Sequence, residues 1–227
     1  MLGGHYAVGY WAKRVDPTLK LWHLFLAVQW LDIVWSPLVL LGIEKADTRQ
    51  PLPASPIHLT YMPYSHGLLA AMLWSVAAYC VYRFAAGPRR SVKSSLILAS
   101  AVLSHWVLDV IVHDRDLPLL GNRFKVGFGV YRSIPWSFGI ESALLLLGLL
   151  LYMASTRPVG SGFNGRYGML LVFLALLLFN ANSIWGPFPP NENVVAVFNL
   201  VYYIGFAAVI AKVERTRVPK APSTVPS

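Results

Sequence analysis

Residues that can bind a metal ion lie inside apolar segments of this 227-residue chain. In the stretch SHWVLDVIVHDRD, His105, Asp109 and His113 follow one another at intervals of four residues. Residues at this spacing share one helix face, with Cβ atoms about 5–6 Å apart. Imidazole and carboxylate groups suit zinc, or manganese where carboxylates dominate. The His105–Asp109 pair therefore predicts part of a metal site.

Four other ionisable residues also interrupt apolar segments. Each such residue costs about 2.5–3.5 kcal/mol inside a membrane helix and usually faces the protein interior. When the segments are traced as spans of alternating direction, these residues and the His105–Asp109 pair all fall in the outer half of the membrane. We predict that Asp109 or Glu141 accepts a proton in catalysis. The predicted ligands of one divalent ion, zinc or manganese, are His5, Asp32, His66, His105 and Asp109.

The apolar segments that must position these residues are long enough to cross a membrane. The chain is 56% hydrophobic and 13% charged, whereas a soluble domain carries about a quarter charged residues. A helix of roughly 20 apolar residues spans a bilayer, and lipid leaves the backbone few alternatives to a helix. The predicted fold is an all-α, polytopic transmembrane bundle over residues 1–216, followed by a disordered cytoplasmic tail over residues 217–227. Its six predicted spans are 19–43, 65–84, 94–112, 135–155, 167–185 and 194–213.

The position of His5 depends on a predicted turn. The residues Asp16-Pro17-Thr18 separate a short apolar N-terminal segment from the first span. A helical hairpin with its tip there brings His5 and Asp32 to within roughly 5 Å of the same depth, at 1.5 Å per helical residue. We therefore predict a short, membrane-inserted N-terminal helix.

The basic residues are divided unequally between the two sides of the predicted bundle. Of the 19 Lys and Arg residues, thirteen fall on one side and six on the other. This bias predicts that the C-terminus is cytoplasmic. It also explains the net charge of +9 by topology and lipid headgroups, so nucleic acid is not a predicted partner. The single cysteine, Cys80, predicts no disulfide.

The same residues fit less specific roles. His105, Asp109 and Asp32 also suit a hydrogen-bonded pair or cluster that ties helices together. His66 suits a helix cap or an interfacial position, and His5 suits an interfacial position. Glu141 also suits an ion pair with Arg132. His113, Asp114 and Asp116 are expected to be solvated in a loop.

Several short motifs resemble a known family. The segments GGHYAVG, QWLD, YSHG and SHWVLD, together with a late GPFPP loop, resemble an uncharacterised bacterial branch of the YdjM-like family of membrane-bound, metal-dependent hydrolases. The resemblance extends along the whole chain. It implies a bacterial inner-membrane protein whose metal-site residues are His5, Asp32, His66, His105 and Asp109.

The expected activity is hydrolysis of a lipid or lipid-linked ester or phosphoester, with a metal-activated water. Membrane lipids are the expected partners, and enzymatic activity itself is left open. A non-catalytic scaffold with a structural metal or a His/Asp packing cluster is the alternative, and an ion or proton transporter is a third. One interpretation of the basic residues in the outer loop is that they bind an anionic lipid headgroup. These residues are Arg115, Arg123, Lys125 and Arg132.

Overall fold

The computed structural model of this chain describes residues 1–85 and 91–220, and about 66% of these described residues are helical. Arg89 and Arg90, two of the thirteen basic residues assigned to the cytoplasmic side, lie outside the described residues. Eight α-helices form the bundle in the described part. They are α1 (His5–Val15), α2 (Leu21–Val28), α3 (Trp30–Leu40), α4 (Leu68–Cys80), α5 (Val92–Val112), α6 (Ile134–Ser155), α7 (Phe163–Trp185) and α8 (Glu192–Val213).

Four of these helices, α5 to α8, are long and apolar enough to span a membrane. Helices α2 and α3 meet at 52° and count as a fifth span if the bent pair crosses as one unit. Helix α4 is shorter than a span and continues into a π-helical turn, Val81–Ala85. The prediction of a helical membrane protein is confirmed, but the number of six spans is not. The predicted second span was too long because residues 65–67 precede the helix, with Gly67 in an extended conformation.

The predicted turn before the first span is present. Helix α1 ends at Val15, and the side chain of Asp16 accepts hydrogen bonds from the backbone nitrogen (3.0 Å) and hydroxyl (2.6 Å) of Thr18. Helix α1 then packs against α2 and α6. A Cβ atom at Gly148 of α6 would lie 2.7 Å from the Cα of Ala7. The close approach of α1 to α6 therefore requires glycine at this position.

Short antiparallel strands join the helices at both ends. Strands β1 (Lys45–Asp47) and β2 (His58–Tyr61) pair in the proline-containing segment between α3 and α4. Strands β3 (Thr156–Pro158) and β4 (Arg217–Pro219) pair at the opposite end. The predicted disordered tail is therefore wrong over residues 217–219, because the buried guanidinium of Arg217 donates to the carbonyls of Thr156 and Gly165. Residues 221–227 lie outside the described part.

The main core lies between α1, α2 and the long helices. Aromatic rings of Tyr6, Phe25 and Tyr202 pack together there, and all three residues are buried. The outward faces of the long helices instead expose large apolar side chains such as Leu150 and Val201. This distribution is that of a bundle whose surroundings are apolar, as in a membrane.

Candidate metal centre

All five predicted ligands meet in one buried cluster, which we call the histidine–aspartate cluster: His5, Asp32, His66, His105 and Asp109. His5 comes from α1, Asp32 from α3 and His66 from the segment just before α4, and the other two residues come from α5. Asp109 Oδ2 lies 3.1 Å from His105 Nε2, and Asp109 Oδ1 lies 3.1 Å from His5 Nε2. Asp32 Oδ1 lies 3.2 Å from His66 Nε2 and 3.8 Å from His105 Nε2.

Two overlapping sets of donor atoms in the cluster are close enough to hold a metal ion. One consists of His5, His105 and Asp109, and the other of Asp32, His66 and His105. Within each set the donor atoms lie within 4.8 Å of one another. His105 belongs to both sets and is therefore central to the cluster.

The orientation of His105 follows from the break between α2 and α3. Gln29 departs from helical geometry there, and the preceding carbonyl of Val28 lies 2.7 Å from His105 Nδ1. A carbonyl can only accept a hydrogen bond, so Nδ1 carries a proton. In the neutral ring, Nε2 then presents its lone pair to Asp32 and Asp109. This nitrogen is buried and has no hydrogen-bond partner among the described residues.

The orientation of His66 follows from a chain of contacts that begins in the loop after α3. Ser65 Oγ donates to Glu44 Oε2 at 2.5 Å, so its only proton is used. The same oxygen must therefore accept from His66 Nδ1, which lies 2.8 Å away. The neutral ring of His66 also directs the lone pair of Nε2 toward the carboxylates. Partners of this kind, which fix the tautomer of a histidine, accompany most metal-binding histidines.

Glu44 and Ser65 were not among the predicted site residues. Glu44 is buried and also accepts from the backbone nitrogens of Tyr64 (2.8 Å) and Ser65 (3.0 Å). Tyr203 was missed as well, and its hydroxyl donates to Asp32 Oδ2 at 2.5 Å. Ser65 directly precedes His66 in the sequence, whereas Glu44 and Tyr203 reach partners 21 and 171 residues away, which no spacing rule links to the cluster.

His5 completes the cluster from α1. Its ring stacks on that of His105, with centroids 3.8 Å apart and planes inclined by 9°. The amino nitrogen of Met1 lies 2.6 Å from Asp109 Oδ1. The predicted hairpin thus brings His5 to the same place as Asp32, with His105 between them.

Glu141 lies beside the cluster and anchors the start of α1. Its Oε2 accepts hydrogen bonds from the backbone nitrogens of Gly3 (2.9 Å) and Gly4 (3.3 Å). These groups precede the first turn of α1, where a negative charge is favourable. The predicted alternative of an ion pair with Arg132 is not found, since Arg132 Nη2 instead donates to Asp114 Oδ2 at 2.7 Å.

His113 and Asp116 differ from their expected solvated state. Both are buried, and His113 Nδ1 lies 3.3 Å from Asp116 Oδ1. The carboxylate of Asp116 also accepts from the backbone nitrogen of Leu59 at 3.1 Å. The strand β2 covers this part of the loop, so the side chains that follow α5 turn inward.

A cavity of about 520 Å³ adjoins the cluster. Asp32, His66, Asp109 and Glu141 line its inner part. The rest of its wall comes from the first two residues, α3, the loop before β2 and β2 itself, His113, Tyr131, the end of α7, the first half of α8 and the GPFPP segment between those two helices. The cluster is therefore buried but accessible from one side.

The four basic residues of the outer loop do not line this cavity. Arg132 pairs with Asp114, and the hydrogen bond from Arg132 holds the pKa of Asp114 below its usual value. Lys125 donates to the carbonyl of Thr60 at 2.9 Å. The expected headgroup-binding role for these residues thus gains no support from their positions.

Comparison with protein-family models, curated proteins and solved structures finds no match to this chain. The resemblance to the YdjM-like family therefore stays a prediction from the quoted motifs.

Proposed function

We propose that this chain is a membrane-embedded, metal-dependent hydrolase that acts on a lipid or lipid-linked ester. The proposed ligands are His5, Asp32, His66, His105 and Asp109, and the proposed ion is zinc, with manganese as the alternative. Five nitrogen and oxygen donors from four separate segments suit either ion.

One observation carries the metal assignment. The hydrogen bonds at Nδ1 of His66 and His105 leave the lone pairs of both Nε2 atoms directed at carboxylates, at distances of 3.1–3.8 Å. Lone pairs that face one another at these distances repel unless a cation lies between them. A divalent ion removes this repulsion and also neutralises the buried carboxylate of Asp109 and the partly buried carboxylate of Asp32.

The cavity supports an enzymatic role for the site. A bound divalent ion would polarise a carbonyl group and lower the pKa of a water molecule toward 7. The residues of the chain would supply the rest. Glu141 is the proposed proton acceptor, because it lines the cavity, whereas both oxygens of Asp109 already contact imidazoles. Tyr203 holds Asp32 in place through its hydroxyl.

The competing function is a scaffold whose cluster contains protons instead of a metal. Protonated rings of His66 and His105 would form ion pairs with Asp32 and Asp109 at the same distances. The two functions differ in metal content. If the protein is a scaffold of this kind, the purified protein binds no stoichiometric metal at neutral pH.

The metal assignment is tested by elemental analysis of full-length protein purified with a tag that lacks histidine. We expect stoichiometric zinc or manganese in the parent protein and its loss in both His105→Ala and Asp109→Asn. A suitable control is His23→Gln, because the ring of His23 contacts Trp22 and Tyr82 instead of the cluster. Circular dichroism and size-exclusion chromatography check folding. Equal metal content in all four proteins would refute the site.

The hydrolase assignment is tested separately. Protein in lipid nanodiscs is incubated with mixed lipids, with and without a chelator, and products are identified by mass spectrometry. We expect products that depend on the metal and disappear in Glu141→Gln while the metal is retained. Stoichiometric metal without products from any common lipid class would refute the hydrolase and favour a scaffold in which the metal is structural.

A further inference from the structure

The wall of the cavity indicates which lipid the proposed hydrolase would accept. Beyond the cluster, the lining is mainly apolar and includes Trp35, Ile57, Leu59, Phe188 and Phe198. Its volume of about 520 Å³ falls in the range of small-molecule sites, roughly 300–1,000 Å³. A wall of this composition suits hydrocarbon chains.

Most polar groups in the outer wall are amides and hydroxyls, from Asn182, Asn199, Ser183, Ser55 and Tyr131. The ring of His113 also lines the cavity, and its Nδ1 lies 3.3 Å from the carboxylate of Asp116. Among the described residues, no Lys or Arg side chain lines the cavity, and the amino nitrogen of Met1 already contacts Asp109. Phosphate sites in proteins usually supply Arg or Lys side chains, or the free N-terminus of a helix.

The N-terminus of α8 does not supply such a site either. Val194 is part of the wall, but its backbone nitrogen donates to the side chain of Asn191 at 3.1 Å. Glu192 adds a negative charge in the same turn. Together with Glu141 in the inner wall, which is not among the proposed metal ligands, this makes the outer part of the cavity unfavourable for a phosphate-bearing lipid.

The mouth of the cavity lies where α7 ends and α8 begins. Three lining residues there are among the exposed large apolar residues: Phe188 (61%), Val194 (44%) and Phe198 (41%). Exposed apolar residues at the entrance favour arrival of the substrate from the membrane rather than from water.

We propose that the cavity binds an uncharged lipid that carries a carboxylic ester, an inference that rests on the proposed hydrolase function. The oxygen of a water molecule would bond to the acyl carbon, and the ester C–O bond would break. One water proton passes to the departing alcohol oxygen, and the other is released through Glu141, which leaves a carboxylate and an alcohol. Asn182 and Asn199 are positioned to hydrogen-bond to the neutral polar groups of the lipid.

The test compares dioleoylglycerol with dioleoyl phosphatidate, which have the same acyl chains and differ in the phosphate. Metal-loaded full-length protein in nanodiscs is given each lipid, and fatty acid and phosphate release are measured by mass spectrometry. Native mass spectrometry measures which lipid the protein retains, so binding is read independently of hydrolysis. We expect both readouts to favour dioleoylglycerol by at least about tenfold.

Two variants place a cation in the wall, Asn199→Arg and Ser183→Arg, and Ser183→Gln serves as the neutral control for the added bulk. We expect either arginine to reduce the preference for dioleoylglycerol about tenfold or more, since one charge-assisted hydrogen bond can account for such a change. The glutamine variant should keep the preference. Two arginine positions guard against misfolding of one variant.

The outcomes separate this inference from the proposed function. Hydrolysis of phosphatidate at an equal or greater rate would overturn the neutral-lipid assignment and leave the hydrolase in place. Selective retention of dioleoylglycerol without hydrolysis would support the cavity assignment and refute the hydrolase. Equal retention of both lipids would overturn the cavity assignment.

Discussion

At the scale of single residues, the cluster depends on what holds the far nitrogen of each imidazole. Val28 fixes His105, and the Ser65–Glu44 pair fixes His66, so both Nε2 atoms are directed at the same two carboxylates. If either ring rotated freely, metal binding would have to fix it in one orientation and would lose conformational entropy. Preorganised rings avoid that cost.

Glu44→Gln is expected to weaken metal binding about 10- to 100-fold. A glutamine side chain has only one acceptor oxygen, whereas Glu44 accepts bonds at both oxygens from Tyr64 and Ser65. The amide nitrogen would face a donor and release Ser65, and His66 would lose its fixed tautomer. The affinity is measured by competition with a zinc-sensitive dye.

The matched control is Glu192→Gln, in the first turn of α8. It removes the same charge but touches no member of the cluster in the described contacts. Unchanged affinity in Glu44→Gln, or an equal loss in Glu192→Gln, would contradict a positioning role for Glu44.

The sequence predicted individual cluster residues where helix spacing, or the free-energy cost of an ionisable group inside an apolar segment, restricts the possible roles. His105 and Asp109 are one turn apart on α5 and converge as their spacing predicted. Asp32 and His66 were identifiable because ionisable groups are expensive inside apolar segments. Glu44 gave no such indication, because it lies in a polar loop and reaches Ser65 across 21 residues.

At the scale of elements, the docking of α1 decides whether the cluster is complete. This helix carries His5, and its eleven residues are too few to be stable alone in water. Packing against α6, with Gly148 at the closest approach, and the bonds from Gly3 and Gly4 to Glu141 hold it in place. The position of His5 is therefore set by α6 as much as by the turn at Asp16.

Gly148→Val is expected to destabilise the protein by roughly 1–3 kcal/mol and to reduce metal content. The new side chain would collide with the backbone of Ala7, which cannot move aside without shifting His5. Gly139→Val is the control, since a Cβ at Gly139 on the same helix meets nothing within 4 Å. Thermal unfolding and metal analysis are measured together. Equal results for the two variants would refute this account.

Two element-level features were beyond the sequence pattern. The apolar run over residues 19–43 predicted one straight span, but the chain breaks at Gln29, which is buried and donates to the carbonyl of Leu2 at 3.1 Å. A long-range partner, and not a glycine or proline at that position, stabilises the break. The strand at Arg217 likewise depends on acceptors some 52 to 61 residues away.

At the scale of the whole molecule, the buried His, Asp and Glu side chains of the described helices lie at one end of the bundle. The cluster, Glu141 and the cavity all lie where α5 and α7 end and where α6 and α8 begin. Helix α5 carries no charged residue between Lys93 and Asp109, and α6 carries none after Glu141. Charged groups therefore do not continue along these two helices toward the opposite end, which favours a single-ended site over a transport pathway.

The unequal distribution of basic residues predicts that the cluster end of the bundle faces the outer side of the membrane. Single cysteines are introduced in a Cys80→Ala background, as Arg123→Cys near the cluster end or Ser161→Cys between β3 and α7. Both positions are exposed and lie in opposite connections of α6. We expect a membrane-impermeant maleimide to label the Arg123→Cys variant in intact spheroplasts. The Ser161→Cys variant should be labelled only after the spheroplasts are lysed. The reverse labelling pattern would place the cavity in the cytoplasmic leaflet, so the neutral lipid would have to come from that leaflet. The metal assignment would stand, because the cluster is formed by contacts within the chain.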